Sequence, residues 1–286
     1  MSAHVQRKFL SRPARRDAGG HVAEGRVMDL NGRAAVVAGG AGGLGGATVR
    51  RLVELGVGVV VLDPDTARAG ALAAQLGPAV TAVAGDSTDD DAVGAAIAAA
   101  QALGVFSIAV SATGVVIRSP RLVDRDGSVM PKEVLRANLD LHVLGPFNLA
   151  RLAASAFAAN EPDEDGQRGV IVQTASISAF DGQATMVPYA AAKGAIVGML
   201  LPMARDLAPI GVRVCAIAPG AIATPRLSDP RVQRLLIEDV LFPKRLGRPE
   251  EYALLAETII RNPHLNGEVI RLDGGTRLSD GNGARH

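Results

Sequence analysis

Tryptophan is absent from this 286-residue chain, tyrosine occurs twice and cysteine once. A lone thiol excludes a disulfide framework and a thiolate metal site, so Cys215, inside the apolar run from Val212 to Ile217, reads as an inert core residue. Aromatic residues make up 3% of the chain, which leaves the core to Val, Ala, Leu and Ile within a 48% apolar share. Thirty basic residues against 29 acidic ones give a net charge of +1, too weak a field to suggest nucleic acid as a partner. The apolar run Ala195 to Ala204 is too short to span a bilayer and contains Pro202, so no membrane partner is expected. No pair of histidines has metal-ligand spacing. The triplet Asp89-Asp90-Asp91 follows Thr88 at a helix start, where acids favour the positive dipole end, so it reads as a cap and no metal site is expected.

What the chain does contain is a hydroxyl, a phenol and an ammonium at informative spacings. Tyr189 and Lys193 bracket three alanines, so a helix there puts both side chains on one face, one turn apart. Ser176 follows the apolar run Val170-Ile171-Val172 and would sit at the carboxyl end of a buried strand. A free phenol titrates near pH 10; serving as a base at neutral pH requires roughly 4 kcal/mol of extra stabilisation of phenolate, which a neighbouring ammonium can supply. A tyrosine with a lysine four residues on also arises by chance, so the pair needs support from elsewhere in the chain.

Support comes from the run Val36 to Gly45, in which a β-branched stretch passes through Gly39, Gly43, Leu44 and Gly45 into a helical pattern. A strand, tight turn and helix N-terminus in that order offer backbone N–H groups to a pyrophosphate. A second buried run, Val57 to Leu62, ends at Asp63, twenty-four residues after Gly39, where a carboxylate can bind a ribose. Asp63 can equally cap the helix starting near Thr66. An acid there would repel a 2′-phosphate and the glycine loop carries no cation, so the expected cofactor is NAD.

Apolar runs alternate with Ala-rich helical segments such as Ala67 to Leu76 and Asp91 to Leu103, the βαβ pattern of a doubly wound parallel sheet. Seven strands are counted, including ones starting near Arg33, Phe106 and Glu268. Residues 28–278 are expected to form one α/β domain, with 1–27 a flexible basic tail and 279–286 a flexible end. Residues 1–16 hold five Lys/Arg and no acid, so a transit peptide is the alternative for the tail, although Pro13 interrupts it. Location is expected to be cytoplasmic, or the mitochondrial matrix if the tail is a transit peptide.

These residues together resemble the short-chain dehydrogenase/reductase family, with its Rossmann-type seven-stranded parallel sheet. From Asp140 onward, the strings Gly194 to Met199, Ala204 to Val214 and Asn266 to Gly274 resemble the branch that acts on 3-hydroxyacyl-CoA thioesters and hydroxysteroids in fatty acid metabolism. The resemblance implies Tyr189 as general acid/base, Ser176 as hydrogen-bond donor to the substrate oxygen, and Lys193 as holder of the nicotinamide ribose. It further implies cofactor contacts at Leu44, Asp86, Gly114, Pro219, Gly220 and Thr224, a substrate lid between Ala223 and Pro243, and a homotetramer. For Asp86 a turn role is an equal alternative.

Three departures stand out. His142 occupies the place of the family's catalytic Asn, Ala38 replaces a threonine that opens the glycine motif, and Ser111 to Gly114 replaces an Asn-Asn-Ala-Gly string. His142 either relays protons through a water on the lysine, packs beside an idle site, or tunes a different substrate. The expected function is NAD-dependent hydride transfer on a small-molecule secondary alcohol or ketone; the alternative is an NAD-binding scaffold or regulatory subunit.

Overall fold

A computed structural model of the chain describes residues 27–116 and 118–280. The basic segment 1–26 and residues 281–286, expected to be flexible, lie outside the described residues. Ser279 and Asp280, also expected in a flexible end, accept hydrogen bonds from Gln183 Nε2 and the Ala184 N–H.

Seven strands form one parallel sheet: β1 (Arg33–Ala38), β2 (Gly58–Asp63), β3 (Val80–Ala84), β4 (Val105–Ser111), β5 (Gly169–Thr174), β6 (Val212–Pro219) and β7 (Val269–Leu272). Between them run α1 (Gly43–Glu54), α2 (Thr66–Leu76), α3 (Asp90–Leu103), α4 (Lys132–Leu139), α5 (Gly145–Phe157), α6 (Val187–Leu207), α7 (Pro230–Glu238) and α8 (Pro249–Arg261). The strand order β3-β2-β1-β4-β5-β6-β7 reverses direction between β1 and β4. A crevice forms outside the carboxyl ends of the strands at such a reversal, and ligands of open α/β sheets bind there.

Both faces of the sheet are covered, which is why the strands read as unbroken apolar runs. Along β1, Ala34, Val36 and Ala38 face a core shared with α3, α5 and α6, while Ala35 and Val37 face a second core shared with α1, α2 and α8. Small residues let these layers close tightly: a Cβ on Gly169 would lie 2.3 Å from the ring of Phe157. Asp89 caps α3 by accepting from the Asp91 N–H, and Asp90 pairs with Arg151 at 2.5 Å, so the acidic triplet behaves as a cap.

Proline shapes two helices. Pro146 has no N–H to give to the His142 carbonyl, and the chain between α4 and α5 widens into a single π-turn, Asp140–Leu144. Pro202 lies inside α6, which extends the predicted ten-residue apolar run to 21 residues. With its following turn, α6 is long and apolar enough to cross a membrane by length and composition. Here Ile196, Leu200 and Ala204 place it in the first core.

Arg213 on β6 is 6% exposed and closes the far end of the second core. Its guanidinium donates to the carbonyls of Ile259 (2.9 Å), Ile260 (2.7 Å) and Leu265 (2.7 Å), and to Gln167 Oε1. It satisfies the last carbonyls of α8, which have no partner within the helix. Arg213→Leu strands those acceptors in an apolar setting and is expected to lower stability by about 2–4 kcal/mol in urea unfolding.

Candidate active site

At the carboxyl end of β5 the chain bends at Ser176, whose Oγ accepts from the Ser178 N–H at 3.1 Å and so caps a short 3₁₀ turn, Ile177–Ala179. Tyr189 and Lys193 face it from the first two turns of α6. His142, in the π-turn, closes the other side: its ring stands edge-on to Tyr189 with centroids 5.1 Å apart. The four residues expected to carry catalysis are thus brought together, and all are buried. Gly114 fits only because it lacks a side chain, since a Cβ there would sit 2.4 Å from His142 Nδ1; Lys193 Nζ lies at ordinary contact distance from the same point.

Burial sets the protonation states. Lys193 is 2% exposed, donates from Nζ to the Thr174 carbonyl at 2.8 Å, and its ammonium is pushed down to about 7 by loss of water. His142 is pushed down to about 3, first by burial and then by the Lys193 charge. The Val115 main chain opposes that shift weakly, yet among the described residues neither ring nitrogen has a hydrogen-bond partner. An imidazole in this state is neutral throughout the working range, so it can hold or pass a proton without carrying charge. Burial also raises the Tyr189 phenol, and its hydrogen bond with Ser176 offsets this in part. The expected lowering of the phenol by Lys193 is not found in this arrangement. The ammonium is turned onto Thr174 and lies 5.9 Å from the ring centroid of Tyr189.

The glycine loop borders the same crevice. Gly39 has φ +71°, and a Cβ there would approach the Ala112 carbonyl to 2.8 Å; on Gly45 it would strike the Gly39 oxygen at 2.1 Å. Gly43 packs under Thr224, so closely that a Cβ on it would lie 2.8 Å from the Thr224 Cγ2. Gly42 precedes α1 without a side-chain cap, leaving the first-turn N–H groups of Gly43, Leu44 and Gly45 for a ligand. Asp63, buried at the end of β2, accepts from the N–H groups of Ala41 (3.0 Å) and Asp65 (2.9 Å). It does not cap α2: Asp65 does, accepting from the Arg68 N–H. A close-packed glycine cradle, an uncapped helix start and a buried carboxylate beside them fit a dinucleotide.

Other expected contacts divide. Pro219 ends β6, and Gly220 admits Asp273 so closely that a Cβ would meet it at 2.9 Å. Asp86 is exposed and spends Oδ1 on the Thr88 N–H and hydroxyl, the turn role. The Ala38 and Ser111–Gly114 departures are compensated together. Ala112 donates its N–H to the Ala38 carbonyl at 2.9 Å, and the Ser111 and Thr113 hydroxyls pair at 3.2 Å. Asn138 turns back to the Val134 carbonyl, away from the site.

Two supporting residues escaped the sequence. Thr174 Oγ1 lies 2.6 Å from the Tyr252 hydroxyl and donates to the Ser111 carbonyl, which fixes the peptide that holds Lys193. Tyr252 is fully buried, its phenol pushed up to about 12. Its scarcity, one of two tyrosines, was the only available signal.

A family model described as short chain dehydrogenase matches residues 33–234. The chain belongs to the short-chain dehydrogenase/reductase family. Human 3-hydroxyacyl-CoA dehydrogenase type-2 is 46% identical to it over 252 residues, 87% of this chain and 97% of the human protein. The crystal structure of 3-hydroxyacyl-CoA dehydrogenase type-2 from Mycobacterium avium matches with a TM-score of 0.84 at 44% identity, covering 87% of this chain and 97% of that one. The 3-ketoacyl-(acyl-carrier-protein) reductase from Brucella melitensis complexed with NADH matches with a TM-score of 0.76 at 27% identity, covering 87% and 100%. This short-chain dehydrogenase is an oxidoreductase that uses a nicotinamide cofactor.

Stability should report the neutral histidine. Between pH 6.5 and about 3 the unfolded imidazole takes a proton that the folded one refuses, so the folded state loses stability as pH falls through that window. The slope of the urea midpoint against pH is expected to flatten there in His142→Asn.

Proposed function

We propose that the chain transfers a hydride between NAD and a secondary alcohol or ketone, with a 3-hydroxyacyl-CoA thioester as substrate and a hydroxysteroid as the second choice. The observation that carries this is the convergence of Ser176, Tyr189 and Lys193 at the carboxyl edge of the sheet, beside the glycine cradle. The named relatives support the acyl substrate. A bound nicotinamide ring supplies the hydride acceptor or donor. Tyr189, held protonated by burial, is in the form that gives a proton to a ketone oxygen; for oxidation it must lose that proton first. Ser176 donates to the same oxygen, and Lys193 is the cation available to lower the phenol and to bind a ribose hydroxyl.

Asp63 supports NAD over NADP, because a buried carboxylate beside a loop without cations disfavours a 2′-phosphate. Leu139 on α4, Leu144 in the π-turn, Phe147 on α5, and Val187 and Leu201 on α6 are exposed apolar residues that support a homotetramer built on these helices. On this reading, NADH absorbance grows when the protein meets NAD and 3-hydroxybutyryl-CoA, and Tyr189→Phe lowers the rate by about 10²–10⁴-fold. Silence across acyl-CoAs, steroids and simple alcohols, with NAD still bound in calorimetry, would favour the scaffold reading.

A further inference from the structure

Among the described residues Thr185 is the one non-glycine residue with positive φ, at +65°. For a β-branched side chain this is a strained backbone, and such strain persists where surrounding contacts over-determine it. Three donors from one neighbouring segment do so here. The Thr185 carbonyl accepts from the Ser119 N–H at 2.8 Å and the Ser119 hydroxyl at 3.0 Å, while its own hydroxyl accepts from Arg118 at 3.3 Å. A glycine would adopt this φ without cost, so what threonine adds is the hydroxyl.

The place of this contact gives it meaning. Thr185 lies four residues before Tyr189, and Arg118 lies four residues after Gly114, the glycine pressed against His142 and Lys193. From this base rises a hairpin in which Val123 bridges Val129, Asp124 N–H bonds to the Ser128 carbonyl, and Met130 N–H bonds to Leu122. The backbone hydrogen bonds of 122–130 run to one another. Its apolar side chains Leu122, Val123 and Val129 are 56%, 60% and 71% exposed. A hairpin whose tip bonds to itself, and whose base is tied on both sides of the catalytic groups, takes its pose from that tie.

We propose that Thr185 is a positioning residue: its strained backbone and its hydroxyl latch the 118–130 hairpin beside the catalytic crevice, and the pose of the hairpin selects substrates by acyl-chain length. The proposal rests on the acyl-thioester reading above. Thr185→Gly relieves the strain but removes the hydroxyl, whereas Thr185→Ser keeps the hydroxyl. Limited trypsin digestion after Arg121 and Arg125 reads the latch without reference to activity, and is expected to run roughly 5-fold faster in the glycine variant and at the wild-type rate in the serine variant. Thermal melting of the glycine variant should hold or rise by roughly 2–4 °C, which separates an opened latch from general unfolding. KM for 3-hydroxydecanoyl-CoA should rise by roughly 5-fold or more in Thr185→Gly while kcat for 3-hydroxybutyryl-CoA stays within about 2-fold, and Thr185→Ser should restore the long-chain value. Equal cleavage rates in all three proteins, or equal changes for short and long chains, overturn the proposal. A wild type inert on both thioesters overturns the functional reading and the selection by chain length with it, while the cleavage ratio still decides the latch.

Discussion

A primary amine taken almost wholly out of water is the constraint around which the site is built. Among the described residues Lys193 has no carboxylate partner; its Nζ donates to one peptide oxygen there, that of Thr174. Without water, the ammonium loses most of its preference for the charged form at neutral pH. Everything that touches it answers to that. The Tyr252 and Thr174 hydroxyls and the Ser111 carbonyl lock the accepting peptide. His142, sharing the same dry space, stays neutral because a second charge there would face both burial and the first charge. Gly114 must lack a side chain for the histidine to sit where it does, because a Cβ there would lie 2.4 Å from His142 Nδ1.

The sheet supplies the geometry. Reversal of strand order between β1 and β4 brings the glycine loop after β1 next to the Ser111–Gly114 segment after β4. The same carboxyl edge holds Ser176 after β5 and Pro219–Gly220 at the end of β6. Backbone contact between Ala38 and Ala112 ties the first two together, so the glycine loop and the segment beside His142 and Lys193 lie along one edge of the sheet. A dry edge of this kind strengthens every electrostatic interaction made within it.

Much of this was legible in the sequence because it is local or periodic. Strands covered on both faces leave unbroken apolar runs, and β1, β4 and β7 begin at or within one residue of where those runs place them. The helical spacing of Tyr189 and Lys193, the glycine cluster and Asp63 are short-range signals of the same kind. What escaped depends on pairs far apart in the chain. Thr174 and Tyr252 are separated by 78 residues and Arg118 and Thr185 by 67, and no local pattern announces either contact. The ease with which Asp63 was also read as a cap for α2 shows the limit of spacing: Asp65, two residues on, takes that role. The direction of the Tyr189 shift was misjudged for a related reason. Sequence places the cation one turn away, but burial and the turn of Nζ onto Thr174 decide the balance.

The state of the Lys193 amine tests this account most directly. Nitrogen-15 NMR of the Lys193 side chain across pH, in protein without added nucleotide and with Lys193→Met to assign the signal, should show a titration near 7. A midpoint near the ordinary lysine value of about 10.4 would contradict it, because the amine would then retain its water and the site would not be the dry edge described.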